Sequence, residues 1–178
     1  MLKPLALTLT AAALATVATA RAQETAAAPP NDAQIAMIAV VADSVDIDAG
    51  KLAAEKSKNK AVKEFAETMV RDHTAVNAKA TALAKKLNVT PEESATSKSL
   101  KSGGDAQLAK MKSMSGAEFD KAYVDNEVSY HETVMGALDK TLIPNTKNAE
   151  LKALLESARP IFVHHLDHAK ELQKSLEK

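Results

Sequence analysis

Three histidines in this chain stand where apolar residues would be expected. In FAETMVRDHTAVNAKA, Phe65, Met69, Val76 and Ala80 recur at the three-, four- or seven-residue spacing of one helix face, and His73 fills the gap between Met69 and Val76. His131 and His165 lie on or beside the same kind of stripe farther along. Imidazoles from three helices, joined by a carboxylate such as Asp46, form a donor set that suits Zn, Cu or Fe. The competing reading is structural: buried neutral rings bonded to one another, to Tyr123 or Tyr130, or to Asp72, which fix the register of the helices.

Other chemistry is narrowed by what the chain lacks. A carboxylate-bridged di-iron centre of the oxidase type uses Glu-x-x-His twice, but Val70, Val128 and Phe162 stand three residues before the three histidines. There is no cysteine for a thiolate site, nucleophile or disulfide. No Gly-rich phosphate loop, Gly-x-Ser-x-Gly or His-Glu-x-x-His occurs. In HHLDH, His164 and His168 read as solvated or half-buried companions of His165. Met111 and Met114, without aromatic or histidine support, read as packing.

The elements that must carry these residues are helical. Ala, Leu, Lys and Glu dominate, aromatics are 3% of the chain, and no run shows strand alternation. A first helix is predicted from Asn31-Asp32 to about Lys58, with Ile35, Ile38, Val41, Val45, Ala49 and Leu52 as its apolar stripe, a polar opposite face bearing Asp46 and Asp48, and Gly50 at a close helix contact. A second runs from Asn59-Lys60 to about Leu87. The short SKNK link makes these two antiparallel neighbours. The pattern lapses from Asn88 to Ser115, where DAQLAKMKSMS is at most a short helix and Gly103-Gly104 reads as flexible loop. Ser115-x-x-Glu118 forms a capping-box signal for a third helix, ended by Pro144, and a fourth runs from about Asn148 to the C-terminus with Pro160 expected to kink or split it.

Two hairpins joined by so long a connection predict a four-helix bundle with one crossover, as in ferritin-like folds. At 1.5 Å per residue, Asp46 and His73 fall level, each about 20 Å from the turn between their helices. His131 and His165 fall about 20 and 30 Å from theirs, in the middle half of the bundle.

The N-terminus reads as an export signal: Lys3, an apolar run from Leu5 to about Val17, and small-x-small sites ending at Ala20 and Ala22. Cleavage after Ala22 divides the chain into a signal peptide (1–22), a flexible leader (23–31) and the bundle (32–178), located in the periplasm or secreted. Loss of Lys3 and Arg21 leaves 21 basic against 23 acidic residues, which argues against a nucleic-acid partner. No transmembrane span is expected after cleavage. The Lys- and Glu-rich faces leave a protein partner or a homo-oligomer open.

With these pieces placed, DIDAGKLAAEKSKNKAVKEFAETMVRDHTAVNAKATALAKKL, EFDKAYVDNEVSYHETV and LLESARPIFVHHLDHAKEL resemble the bacterial family of domain of unknown function 4142, which is grouped with ferritin-like proteins. The matching positions are Asp46 and Gly50, Asp72 and His73, Phe119, Tyr123 and His131, and Pro160 and His165; Asp46 stands where the family often carries Glu. The resemblance implies the ferritin-like fold and export, and no activity. The leading expectation is therefore a non-enzymatic exported bundle acting by interaction or in envelope stress. The alternative is a redox or oxygen-handling protein with Fe, Cu or Zn at His73, His131, His165 and Asp46.

Overall fold

The computed structural model describes residues 28–177, all helix and connecting segments without a strand among the described residues. The proposed signal peptide and most of the proposed leader lie outside them. The helices are α1 (Asp32–Lys56), α2 (Lys60–Lys86), α3 (Ala95–Lys112), α4 (Gly116–Ala137), a π-helical turn (Leu138–Leu142), α5 (Ile143–Asn145) and α6 (Ala149–Leu176). None of them is long and apolar enough to cross a membrane.

Three helix starts follow from asparagine. The Asn31 side chain accepts from the Gln34 N–H while Gln34 bonds back to the Asn31 N–H. Asn59 and Asn148 each accept from two backbone N–H groups at the head of α2 and α6. Such caps occupy donors that have no partner within the helix.

α1 and α2 make the most extensive helix pair. Gly50 is part of the reason: a Cβ there would stand 2.9 Å from Val70 Cγ2 and 3.1 Å from the Ala66 carbonyl. Contacts run in opposite order along the two helices, from Gly50 on Ala66 and Val70 to the Asn77 amide on the Val40 carbonyl.

The connection after α2 departs from expectation. Instead of a loop with one short helical piece, it contains an 18-residue helix, α3. Ser94 and Ser97 form its reciprocal cap, whereas Ser115 makes no side-chain cap, because Gly116 takes a left-handed φ of 58° and turns the chain away. Gly104 belongs to a packed helix, not a flexible loop: a Cβ there would lie 2.6–2.7 Å from both methyls of Val45. The Glu92 N–H bonds the Ala33 carbonyl, and Lys56 at the far end of α1 bonds the Met111 and Lys112 carbonyls, so α3 lies along α1 from its start to its end.

This overlay explains a second correction. Val41, Val45 and Leu52, expected in the main core, are only half-buried, and Val45 lies under α3. The polar face of α1 turns Asp43 and Asp46 inward, both 3% exposed. α1 is covered on two sides: Ile35, Ile38 and Ala49 of its apolar stripe are buried in the core, while Val45 of the same stripe meets α3.

The helical run that α4 begins ends close to its predicted stop at Pro144. The chain continues through the π turn, where Ile143 N–H bonds the Leu138 carbonyl five residues back, and ends at Asn145, one residue beyond Pro144. Proline is tolerated there because it stands in the first turn of α5, where its missing N–H costs no helical bond. Pro160 does not divide α6, which runs unbroken through it.

The buried apolar residues form two clusters. One gathers Val62, Phe65, Met69, Phe119, Tyr123 and Leu172, and the other Ile35, Ile38, Leu138, Leu155 and Phe162. A polar layer lies between them.

Candidate metal centre

The polar layer is built one or two residues per helix. α1 contributes Asp43 and Asp46, one turn apart; α2 contributes His73; α4 contributes Glu127 and His131, again one turn apart; α6 contributes His165. All six are essentially excluded from solvent. The ring centroids of His73, His131 and His165 lie 5.1–5.6 Å from one another, and Phe162 stacks on His73 at 5.0 Å.

The three imidazoles share a pattern. On each, one ring nitrogen is held by an oxygen: His73 Nδ1 by Asp43 Oδ1 at 2.8 Å, His131 Nδ1 by the Glu127 carbonyl at 3.0 Å, and His165 Nε2 by Asp72 Oδ2 at 3.0 Å. The opposite nitrogen, Nε2 of His73 and His131 and Nδ1 of His165, has no hydrogen-bond partner among the described residues. An oxygen acceptor on one nitrogen fixes the tautomer and leaves the lone pair of the other free, as in metal-ligating histidines.

The three rings each offer a nitrogen within 4.8 Å of the others. Asp46 Oδ2 approaches His73 Nε2 to 3.2 Å and His131 Nε2 to 3.7 Å. Neither contact is a hydrogen bond, since both nitrogens are unpartnered. Two ligands of one tetrahedral ion at bond lengths of about 2.0–2.1 Å would stand roughly 3.3 Å apart, so these spacings fit common ligation better than mutual bonding.

Burial and neighbouring charge set the electrostatics. Burial lowers the pKa of His131, and pulls that of His165 down to about 4, keeping both neutral. Burial also opposes charge on His73, but Asp46 and Asp43 outweigh it and raise its pKa. Asp43 is raised by burial despite its bond to His73. Glu127 is pushed well above the carboxylate range by burial and then by Asp46, and Tyr123 is raised by burial and the same two carboxylates.

Of the four residues singled out from sequence, His73, His131 and His165 are thus brought together, and Asp46 meets two of them, His73 and His131. The 10 Å offset between His131 and His165 shrinks to about 3 Å when each is measured from its own helix end. His131 lies 14 residues before Asn145 and His165 lies 16 after Ala149, depths of about 21 and 24 Å. Asp72 points to the edge, half-buried, where Arg71 lowers its pKa and it reaches α6 through His165. His164 is exposed and His168 half-buried against the Phe65 ring. Met111 is buried in an apolar cluster and Met114 packs against it.

Asp43 and Glu127 were missed. Glu127 was legible: it fills the seven-residue gap between Tyr123 and Tyr130 on the α4 face, as His73 fills its own gap on α2. Asp43 sits one turn before Asp46, but only knowing which face of α1 turns inward would have selected it.

The family described as Domain of unknown function (DUF4142) matches residues 16–172. No curated protein and no solved structure matches the chain. With that match spanning most of its length, the chain belongs to the DUF4142 family.

Proposed function

We propose that this is an exported helical-bundle protein that binds a transition-metal ion in its core through His73, His131, His165 and Asp46. The observation that carries the reading is the division of labour on the three rings: one nitrogen of each is held by an oxygen and the other is buried without a partner, in rings that each offer a nitrogen within 4.8 Å of the others. Nitrogen donors with one carboxylate suit Zn, Cu or Fe. Such an ion would supply Lewis-acid or, for Cu and Fe, redox chemistry. The protein's own part is to hold the ligands in fixed tautomers and exclude bulk water.

An apolar cleft lined by Ala36, Val76, Leu138, Leu142 and Leu155 approaches the layer, with Asp43 and Phe162 on its wall. Both of those residues touch His73. Such walls favour small uncharged molecules over charged substrates, in keeping with an oxygen-handling role. The ferritin-like arrangement is part of the proposal. It is supported by the opposed order of contacts along α1 and α2, by α3 returning along α1, and by a polar layer supplied from four long helices.

A second reading has one observation in its favour. Asp43 and Asp46 flank His73 and raise its pKa, so the three could act as a buried ionic triad that fixes helix register in a non-enzymatic interaction protein. Untagged protein recovered from the periplasm separates the two. Both readings predict an N-terminus at Gln23; the metal reading alone predicts close to one equivalent or more of Zn, Cu or Fe by elemental analysis, and loss of that metal in His165→Ala. Metal-free material whose melting temperature is unmoved by all three ions would leave only the register role.

A further inference from the structure

Glu127 has no exposed surface, and neither of its carboxyl oxygens has a hydrogen-bond partner among the described residues. Beside it, Asp46 Oδ1 is also buried and unpartnered, and so is the Tyr123 hydroxyl one turn earlier on α4. Four unpartnered oxygens on Asp46, Glu127 and the residue one turn before Glu127 is far from the usual state of buried polar groups. The helix spacing is part of the arrangement: Tyr123, Glu127 and His131 succeed one another at four-residue intervals, so they form a ladder on the inward face of α4.

A proton shared between Asp46 and Glu127 would satisfy one oxygen of each and leave the phenol and the other Glu127 oxygen unpaired. A cation among them would engage all three side chains. Asp46, Glu127 and His131 each offer a donor atom within 4.8 Å of the others. The free Nε2 of His131 faces Asp46 Oδ2 and belongs with the three-histidine group, which leaves oxygens as the donors on the far side of Asp46.

Resting on the metal reading above, we propose a second cation position beside the first, formed by oxygen donors of Asp46, Glu127 and Tyr123, with Asp46 shared between the two. Its donors are harder than the imidazole set and select Fe or Mn over Cu(I). The centre would hold two ions in unlike surroundings, one nitrogen-rich and one oxygen-rich.

The test uses the mature full-length chain, stripped of metal, with anaerobic Fe(II) for stoichiometry and Fe(III) supplied as its citrate complex for the spectrum. Wild type should bind two Fe(II) per chain, and Glu127→Gln should bind one while keeping wild-type helicity. Phenolate bound to Fe(III) absorbs in the visible, so wild type should colour and Tyr123→Phe should not, although it loses only one hydroxyl and retains the fold. One equivalent in wild type, unchanged in Glu127→Gln, would overturn the second position and leave the three-histidine site standing. Two equivalents in Glu127→Gln, or a visible band that persists in Tyr123→Phe, would also overturn it. No binding by wild type would remove both sites.

Discussion

The apolar clusters and the layer between them are equally buried, yet they do opposite things to stability. In the clusters, Phe65, Phe119 and Ile35 are wholly buried and meet other apolar atoms, so every contact favours the fold. In the polar layer, Asp46, Glu127, His73, His131 and His165 are buried to the same degree, and each retains at least one polar atom with no partner. Each such atom costs about 1–3 kcal/mol relative to a satisfied one. A helical protein that needed only to fold would have filled that layer with leucine. The difference separates residues that hold the helices together from residues that the helices hold in place.

The contrast can be broken at its strong side first. Phe65→Ala removes a fully buried ring and should lower the free energy of unfolding by about 3–5 kcal/mol, read from denaturant titration. A loss below 1 kcal/mol would mean that the cluster is poorly packed.

Next in size is the effect of metal on the polar layer. An ion present at a thousand times its dissociation constant stabilises the native state by about 4 kcal/mol, so Zn should raise the melting temperature of metal-free wild type by several degrees. In His165→Ala the rise should vanish. An equal rise in both proteins would place Zn elsewhere.

Glu127→Met in the metal-free protein should stabilise it by about 1–3 kcal/mol, since it replaces an unpartnered carboxyl with an apolar chain of similar size. The gain should be largest near neutral pH. Folded Glu127 has a raised pKa and must take up a proton that the unfolded chain does not bind there; as pH falls toward the ordinary Glu value of about 4.3, both states are protonated and the difference closes. Destabilisation by this substitution would show that Glu127 already has a partner.

The smallest effect concerns His165. Its folded pKa is about 4, below an unfolded value of about 6.5, so between those limits the unfolded state binds a proton that the folded state refuses. Both forms are neutral above that window, and stability is lost as pH falls through it. Metal-free His165→Leu should therefore gain on wild type steadily from pH 6.5 to 4, and a constant difference across that range would contradict the burial of the ring. The same substitution at His73 should behave differently, because it leaves Asp43 without its bond and Asp46 without its neighbour.

Much of this was legible along the chain because helices report their inward face through period. The caps at Asn31, Asn59 and Asn148 and the histidines in apolar gaps are local: each depends on residues within two turns, and Gly50 stood out as a helix-breaking residue inside a periodic run. α3 was not legible, since Gly103 and Gly104 lower helix propensity and the compensating contact, Gly104 on Val45, lies 59 residues away in sequence. For the same reason the apolar stripe of α1 was assigned wholly to the core. An apolar stripe says that something covers it, but not whether the cover is the core or a crossing helix, and so Val41 and Val45 were placed in the core and Asp43 was passed over. The amino-acid sequence by itself determined the all-helical class, the helix starts and the histidine positions, because these follow from propensity, capping and period. Only the tertiary structure decided which nitrogen of each ring stays free and which carboxylates meet them, because those depend on the relative height and rotation of helices whose contacts are far apart in the chain.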